Sequence, residues 1–423
     1  MEQRRRTASK FFPVYQPAFN FESRIGSLPS DFTFSRASTA TYFDSTGTLR
    51  AAAANEPRFN YNPLLSAIPR FLVEAEARTN SLRNNSMTGA VAGSPGTAPT
   101  SWSMTGTGGV ITRTIVGIGT LGVMPYIDLR YQFSGAGTAF LTMEQSNQVA
   151  ATVGQTWTLS HFVSLIAGSM TNVSALGSIV SEYDAGAGFL VNSTSNFVPT
   201  ATLTRREFAR TNSNALCAFV APGLYITVTD VADITLRIGI PQMELGAFAS
   251  SPIVTVNAAV TRAADICAVT GGNFGKWFNP WTGTFAVKAV TPAGIGSVSQ
   301  AIIEADLGDT NNRHVLFRSP SGLAQAQTGT NAVVQADITL GAWANTTIAR
   351  QAYSYAPGNF NAAFAGVSGT PDNEGTPPQC SQLILGNTAA ANRPWMGEFE
   401  WVRYWQQDAD PKMVQYLTSS IYD

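Results

Sequence analysis

MPYIDLRYQF (Met124–Phe133) alternates apolar and polar residues at the period of a β-strand, and its neighbours repeat the pattern. VITRTIVGI (Val110–Ile118), TAFLTMEQ (Thr138–Gln145), TWTLSHFVSLIAG (Thr156–Gly168), ATLTRREFAR (Ala201–Arg210), LYITVTDV (Leu224–Val231) and DITLRIGIPQMELG (Asp233–Gly246) alternate or run apolar for the length of a strand. Gly, Asn and Pro punctuate them. Seven or more short strands at this spacing predict a β-sandwich, with a jelly roll as the favoured form.

Composition agrees. The chain has 423 residues, long for one core and suited to two or three domains. Apolar residues make up 44%, enough for a core, while charged residues are only 13%, about half the usual share. Lysine occurs four times. Thr, Ser, Ala, Gly and Asn fill the gap, as on exposed β surfaces that use hydroxyls and amides instead of charge. A formal net charge of −1 argues against a nucleic-acid binder, which needs a basic surplus to neutralise phosphates. Cys217, Cys267 and Cys380 are odd in number and far apart, so they read as packed thiols of a protein folded in a reducing cytoplasm. Arg4, Arg5 and Arg6 are followed by no apolar run of signal-peptide length, and no uncharged run could span a bilayer. The expectation is synthesis in the cytoplasm and no membrane insertion.

The first thirty residues have no clean period. Phe11, Phe12, Tyr15, Phe19 and Phe21 sit among Pro13 and Pro17, an apolar leader costly to leave in water. It is expected to lie extended against its own domain or against a partner subunit. Phe32 and Phe34 then share a face, and TYF-DSTG-TLR reads as a hairpin with Asp44 and Gly47 in its turn. Phe71 and Val73 alternate in a following strand, with Glu74 and Glu76 two apart near Arg70 and Arg78. Paired carboxylates suit acid–base chemistry, but here a salt-bridged strand end is the better reading.

FSRASTATYFDSTGTLRAAAANEPRFNYNP (Phe34–Pro63) followed by FLVEAEARTN (Phe71–Asn80) resembles a segment that recurs in bacteriophage tail and other virion structural proteins. That resemblance covers about residues 32–80 and implies a virion protein. SLRNNSMTGAVAGSPGTAPT (Ser81–Thr100) reads as a linker by composition. QMELGAFASSPIVTVNAAVTRAAD (Gln242–Asp265) resembles the closing segment of carbohydrate-binding-module-like jelly rolls in phage tail proteins. LILGN (Leu383–Asn387) and PWMGEFEWVRYW (Pro394–Trp405) resemble a concanavalin A-like, laminin-G-like sandwich. A short helix should follow, capped by Asp410, with Pro411 in its first turn and Met413, Val414 and Leu417 on its apolar face.

The expected fold is therefore all-β: an N-terminal extended arm and hairpin, two β-sandwiches (jelly roll, then concanavalin A-like) and one short C-terminal helix. The expected division is 1–80 as an arm and virion-attachment segment, 81–265 as the jelly roll and 266–423 as the second sandwich.

No set of residues announces catalysis. Glu398 and Glu400 share a strand face, but the third carboxylate of an E-x-D-x-E run is replaced by Val402, and alternation predicts Trp401 inward. His161 and His314, the sole histidines, stand alone in strands, which excludes a triad. No phosphate-cradling glycine motif occurs. Asp306, Asp309 and Asn311 are oxygen ligands of the calcium type, but a hairpin turn needs the same residues, and no cofactor is expected. Arg205, Arg206 and Arg210 read as a solvated strand face rather than an anion site. Six of the eight tryptophans lie beyond Gly271; Trp277, Trp281 and Trp395 adjoin Gly, Asn or Pro and are the candidates for stacking on sugar rings.

These readings, with the resemblance, imply a non-enzymatic virion structural protein, of tail-fibre or spike type. It would attach to the particle through Phe11, Phe12, Tyr15 and Phe19, bind other virion proteins, form a homotrimer and present lectin-like sandwiches to a host-surface glycan. A capsid decoration or collar protein and a glycan depolymerase are the alternatives.

Overall fold

The computed structural model describes residues 16–62, 66–291, 294 and 296–422. Strand takes 53% of the chain and helix 4%, so the fold is all-β as expected. The chain forms two compact units, each assembled from separated segments. Of the described residues, unit one holds those up to Ala37, those of Ala54–Glu76 and those from Ala264 on; unit two holds Ser38–Ala53 and Ala77–Ala263.

This differs from the expected three-part division, because the described residues among the first eighty are shared between the two units. Phe19–Glu22, Phe32–Ser35, Arg58–Asn62 and Ser66–Glu74 are members of unit one's sheets, whereas the Ala40–Phe43/Leu49–Ala52 hairpin and Arg78–Asn80 belong to unit two. Short strands cannot stand alone in water; each is completed by pairing into a larger sheet.

Unit two is a jelly roll. Its eight main strands run, in order, Met124–Phe133, Gly137–Thr142, Thr156–Gly168, Val173–Tyr183, Phe189–Asn196, Thr204–Thr211, Phe219–Val228 and Ala232–Leu245. Numbered one to eight, they lie 6-3-8-1 in one antiparallel sheet and 5-4-7-2 in the other, the interleaving of two Greek keys. Ile111–Leu121 widens the first sheet to five strands; Ser103–Gly108 and Val149–Ala150 widen the second to six. Inward residues of both sheets (Ile127, Leu129, Leu159, Leu236; Leu141, Val180, Leu224) meet in one core. The DSTG hairpin forms as expected: the Asp44 carboxylate accepts from the Thr46 and Thr48 amides at 2.9 and 3.0 Å. Its Phe43 and Leu49 cover Met124, Phe162 and Ile240 on the outer face of the five-stranded sheet.

The supposed linker 81–100 is ordered. Leu82 and Met87 enter the core, and the buried Asn85 side chain donates to the Pro241 and Ile253 carbonyls at 2.9 and 2.8 Å and accepts from the Thr255 amide at 2.7 Å. A polar composition looks like a linker, but side-chain amides that satisfy backbone groups can bury such a segment.

Unit one is a second sandwich. One sheet runs Val367–Ser368, Asn359–Phe364, Ile348–Ala356, Gly283–Val290, Met396–Trp405, Ser66–Glu74, Arg58–Asn62, with Phe19–Glu22 also paired to Met396–Trp405. The other runs Phe32–Ser35, Ile266–Thr270, Gln382–Leu385, Gln300–Asp306, Arg313–Arg318, Leu323–Thr330, Val333–Ala342. Phe71, Phe285, Leu316, Trp343, Tyr353, Leu385 and Phe399 share its core.

The C-terminal helix is Pro411–Thr418, capped by the Asp410 carboxylate accepting from the Met413 amide at 2.8 Å. Trp401 is buried, but not in the main core. The register slips where Lys288 and Ala289 pair with Trp401 and Phe399, leaving Glu400 bulged. Trp401 thereby reaches the outer face, where it packs with Trp405 beneath Val414 and Leu417 of the helix.

Unit one also carries a buried ion quartet. Arg36, Arg58, Glu74 and Asp265 have almost no exposed side-chain surface. Arg58 Nη1 donates to Glu74 at 2.7 Å and Nη2 to Asp265 at 2.6 Å, while Arg36 Nη1 donates to the other Asp265 oxygen at 3.2 Å. Burial pulls the Arg58 guanidinium down, but Glu74 and Asp265 outweigh it and hold the group above its ordinary pKa. Asp265 also accepts from the Glu74 amide at 2.8 Å. Two cations and two anions balance, the condition for keeping charges out of water. Arg36 of S-R-A-S, Arg58 of E-P-R-F, Glu74 of V-E-A-E and Asp265 of R-A-A-D thus meet at one point in unit one.

Phe19 is a core residue. It stacks on Trp277 at 4.6 Å and pairs in register with Tyr404, so it is not free to serve as an attachment residue. Phe11, Phe12 and Tyr15 lie outside the described residues.

Candidate functional site

The most distinctive surface is the outer face of unit two's six-stranded sheet. Leu176 and Val180, Leu224 and Ile226, and Ala139 and Leu141 point inward to the core. Alternation therefore turns Ile179, Ser181 and Tyr183 outward, with Gly223, Tyr225 and Thr227 beside them and Thr138, Phe140 and Thr142 beyond. On the flanking strands Asn192 lies opposite Ser181, Phe189 opposite Tyr183, and Thr105 opposite Phe140. Apart from the aliphatic Ile179, each of these is a hydroxyl, an amide, an aromatic or a small residue, and none carries a charge.

A hollow of about 180 Å³ opens in this face. Tyr183 and Phe189 form its rim, edge to face with centroids 6.0 Å apart, and Phe189 is 58% exposed. Ser181 Oγ donates to Asn192 Oδ1 at 2.6 Å, which leaves the Asn192 amide nitrogen to donate elsewhere. Phe140, Thr105 and Thr142 line the opposite side. Gly223 lines the floor: a Cβ there would come within 2.3 Å of the Leu141 carbonyl oxygen, so the close strand approach requires glycine. A ring-lined hollow with sparse, oriented hydrogen-bonding groups can hold a small polar ligand with flat apolar faces.

The opposite outer face of the jelly roll is built differently. There Asp128 and Arg237 form a two-bond pair at 2.8 and 2.9 Å, and Arg130 reaches Asp233 at 2.9 Å. The hairpin covers part of the rest. The arginines read as one patch are spent separately: Arg205 donates to Ser160 and to the Ser250 carbonyl, Arg206 to the Val198 carbonyl, and Arg210 pairs with the buried Glu182.

Of the three tryptophans chosen for sugar stacking, two are corrected. Trp277 is 3% exposed and Trp395 0%. Trp277 lies against Phe19, Phe274 and Tyr404, and Trp395 against Trp343 and Phe399. Adjacent Gly and Pro mark a bend in the chain, not the direction a side chain takes from it. Trp281 is 58% exposed, on a turn fixed by its amide donating to Asn279 Oδ1 at 3.0 Å and by Thr282 Oγ1 donating to the Gln406 carbonyl at 2.6 Å.

The calcium candidates serve the hairpin. Asp309 Oδ1 accepts from the Asn311 and Asn312 amides at 2.8 and 2.9 Å, and Asp306 Oδ1 from the Gly308 amide and Gln382 at 2.6 and 2.7 Å. Among the described residues no group of three or more His, Cys, Asp or Glu is placed to hold a metal. Burial pushes Asp306 up to about 6, and its neighbour Glu304 up to about 7.

Glu398 is held by Arg70 at 2.7 Å and Asn60 at 2.5 Å, Glu400 by Lys288 at 2.5 Å. Both histidines are buried and held down to about 3 by that burial, with Arg206 and Arg205 adding to the effect at His161. His161 bonds Ser178 at 2.8 Å and His314 bonds Thr328 at 2.7 Å, so each is a neutral core group. Cys217 and Cys267 lie in the two cores, unpaired like Cys380.

No protein-family model matches the chain. No curated protein matches it either. Solved structures do. The carbohydrate-binding module of the Ruminococcus gnavus IT-sialidase, bound to α2,3-sialyllactose, is 13% identical, with 33% of this chain and 83% of that one covered and a TM-score of 0.29. A carbohydrate-binding module of the β-sandwich superfamily is 12% identical over 52% of this chain and 88% of that one, TM-score 0.29. Mouse laminin α1 domains LG4-5 are 11% identical over 66% and 91%, TM-score 0.24. Likenesses this loose carry no argument; the class, a two-sandwich all-β protein with one jelly roll, stands on the strand order itself.

Proposed function

We propose that the chain is a non-enzymatic glycan-binding protein and that it serves a tailed phage as a tail-fibre or spike-type appendage. One observation carries the glycan reading: an open, charge-free sheet face with a hollow rimmed by Tyr183 and Phe189 and furnished with Ser181 and Asn192. Sugar rings offer apolar faces to aromatics and hydroxyls to amides. Trp281 provides a second exposed ring on unit one.

The non-enzymatic reading is supported by the carboxylates. Glu74, Glu398 and Glu400 each face a cation in an ion pair instead of converging on an open cleft. The virion assignment, with its partners among other virion proteins, its trimer and its synthesis in the host cytoplasm, is supported by the resemblance of residues 32–80 and 242–265 to phage structural proteins.

The test is incubation of purified protein with host-surface polysaccharide. Binding without released oligosaccharide supports the proposal. Falling viscosity that survives in Glu398→Gln/Glu400→Gln establishes a depolymerase working elsewhere on the chain, and neither binding nor cleavage favours a decoration or collar protein. Antibody labelling of intact particles decides the virion assignment: gold on tail appendages supports it, and unlabelled particles refute it.

A further inference from the structure

The hollow's chemistry also bears on which glycans it takes. Resting on the glycan-binding reading above, we infer that the site selects neutral sugars and rejects uronic acids, sialic acids and sulfated or phosphorylated glycans. A bound anion must exchange its water shell for a cation or for several aligned donors, and without them its desolvation is uncompensated. No outward position across the six strands of this sheet supplies a cation; the places where one would stand hold Thr105, Thr138, Phe140, Ser181, Asn192, Tyr225 and Thr227. The one acid of this sheet's strands, Glu182, is turned inward, where it pairs with Arg210 of the five-stranded sheet.

The face is also partly satisfied internally, which limits what it can offer an anion. Tyr225 donates to Asn196, Ser181 to Asn192, and Thr138 shares a hydrogen bond with Thr227 at 3.1 Å. What remains is the Asn192 amide nitrogen, scattered hydroxyls and the Phe189 ring. That set suits a hydroxyl-bearing ring stacked at the rim. The hollow, about 180 Å³, is smaller than the roughly 300–1,000 Å³ of sites that engulf drug-sized ligands, so it fits a single sugar residue with the chain continuing over the open sheet.

The experiment measures calorimetric binding of the full chain to neutral glucans, mannans and galactans and to alginate, polysialic acid and a sulfated glycan. Wild type and Phe189→Ala are compared at low and high salt. Phe189 is largely exposed, so truncation should leave the fold intact, checked by an unchanged Tm. The inference expects a neutral glycan to bind, about tenfold weaker to Phe189→Ala, with no dependence on salt. An anionic glycan whose binding falls in Phe189→Ala would overturn the neutral selectivity while leaving the site in place. Binding insensitive to Phe189→Ala, or no binding across the panel, would overturn the site itself.

Discussion

Removing Arg58 should damage unit one far more than an ordinary surface substitution. Its guanidinium lies 2.7 Å from Glu74 and 2.6 Å from Asp265, with no exposed side-chain surface on Arg58 or Asp265 and 4% on Glu74. Arg58→Met keeps much of the apolar stem but takes the quartet from neutral to a net charge of −1. Arg36 remains beside Asp265 at 3.2 Å, a longer contact than either of those that Arg58 makes. Breaking a buried pair on one side costs about 3–5 kcal/mol. For a domain of this size that lowers Tm by about 6–20 °C. Urea unfolding followed by tryptophan fluorescence is the assay, since six of the eight tryptophans report on unit one. A proton relieves the surplus negative charge, so the deficit should shrink as pH falls from 8 to 5. Adding Glu74→Leu restores the charge balance and should recover most of the loss. If Arg58→Met alone stays within about 1 kcal/mol of wild type at pH 8, charge balance is not what these four residues provide, and the reasoning fails.

Other outcomes follow from single contacts. Asp410→Ala removes the cap on Pro411–Thr418 and should cost about 1 kcal/mol, read as faster hydrogen exchange in that helix. Gly223→Val forces a branched side chain against the Leu141 carbonyl and should cost about 1–3 kcal/mol, seen as a lower urea midpoint. Glu304 and Asp306, pushed up to about 7 and about 6 chiefly by burial, have folded pKa values above their unfolded ones. Their contribution is therefore most favourable below about pH 4 and is lost as pH rises through 6 to 7. Glu304→Gln/Asp306→Asn should remove that component, so the wild-type-minus-variant stability difference falls between pH 4 and 8; a flat difference contradicts the assignment. Trp281→Ala should leave Tm unchanged, since the ring is mostly exposed and its turn is held by Asn279 and Thr282.

Period and punctuation sufficed for the strands with strong apolar contrast. Met124–Phe133 and Thr156–Gly168 form over the very residues whose alternation announces them, and the capped helix begins where Asp410 and Pro411 require. Val173–Tyr183 and Phe189–Asn196 escaped notice. The first is broken by Gly177, Ser178 and Ser181, and the second is an edge strand ending Asn-Ser-Thr-Ser-Asn, so neither shows apolar contrast. These two strands carry Ser181, Tyr183, Phe189 and Asn192. A sheet face furnished with hydroxyls and amides gives up the hydrophobic signal that makes strands legible.

By itself the sequence determined the all-β class, the two sandwiches, the hairpin and the helix, because those follow from local period, turn chemistry and capping. Tertiary structure alone decided which residues meet across long separations: Arg58 with Asp265, the outward row on the six-stranded sheet, and the burial of Trp277 and Trp395. Strand order and a one-residue bulge fix which side of a sheet a side chain occupies, and no local pattern encodes either.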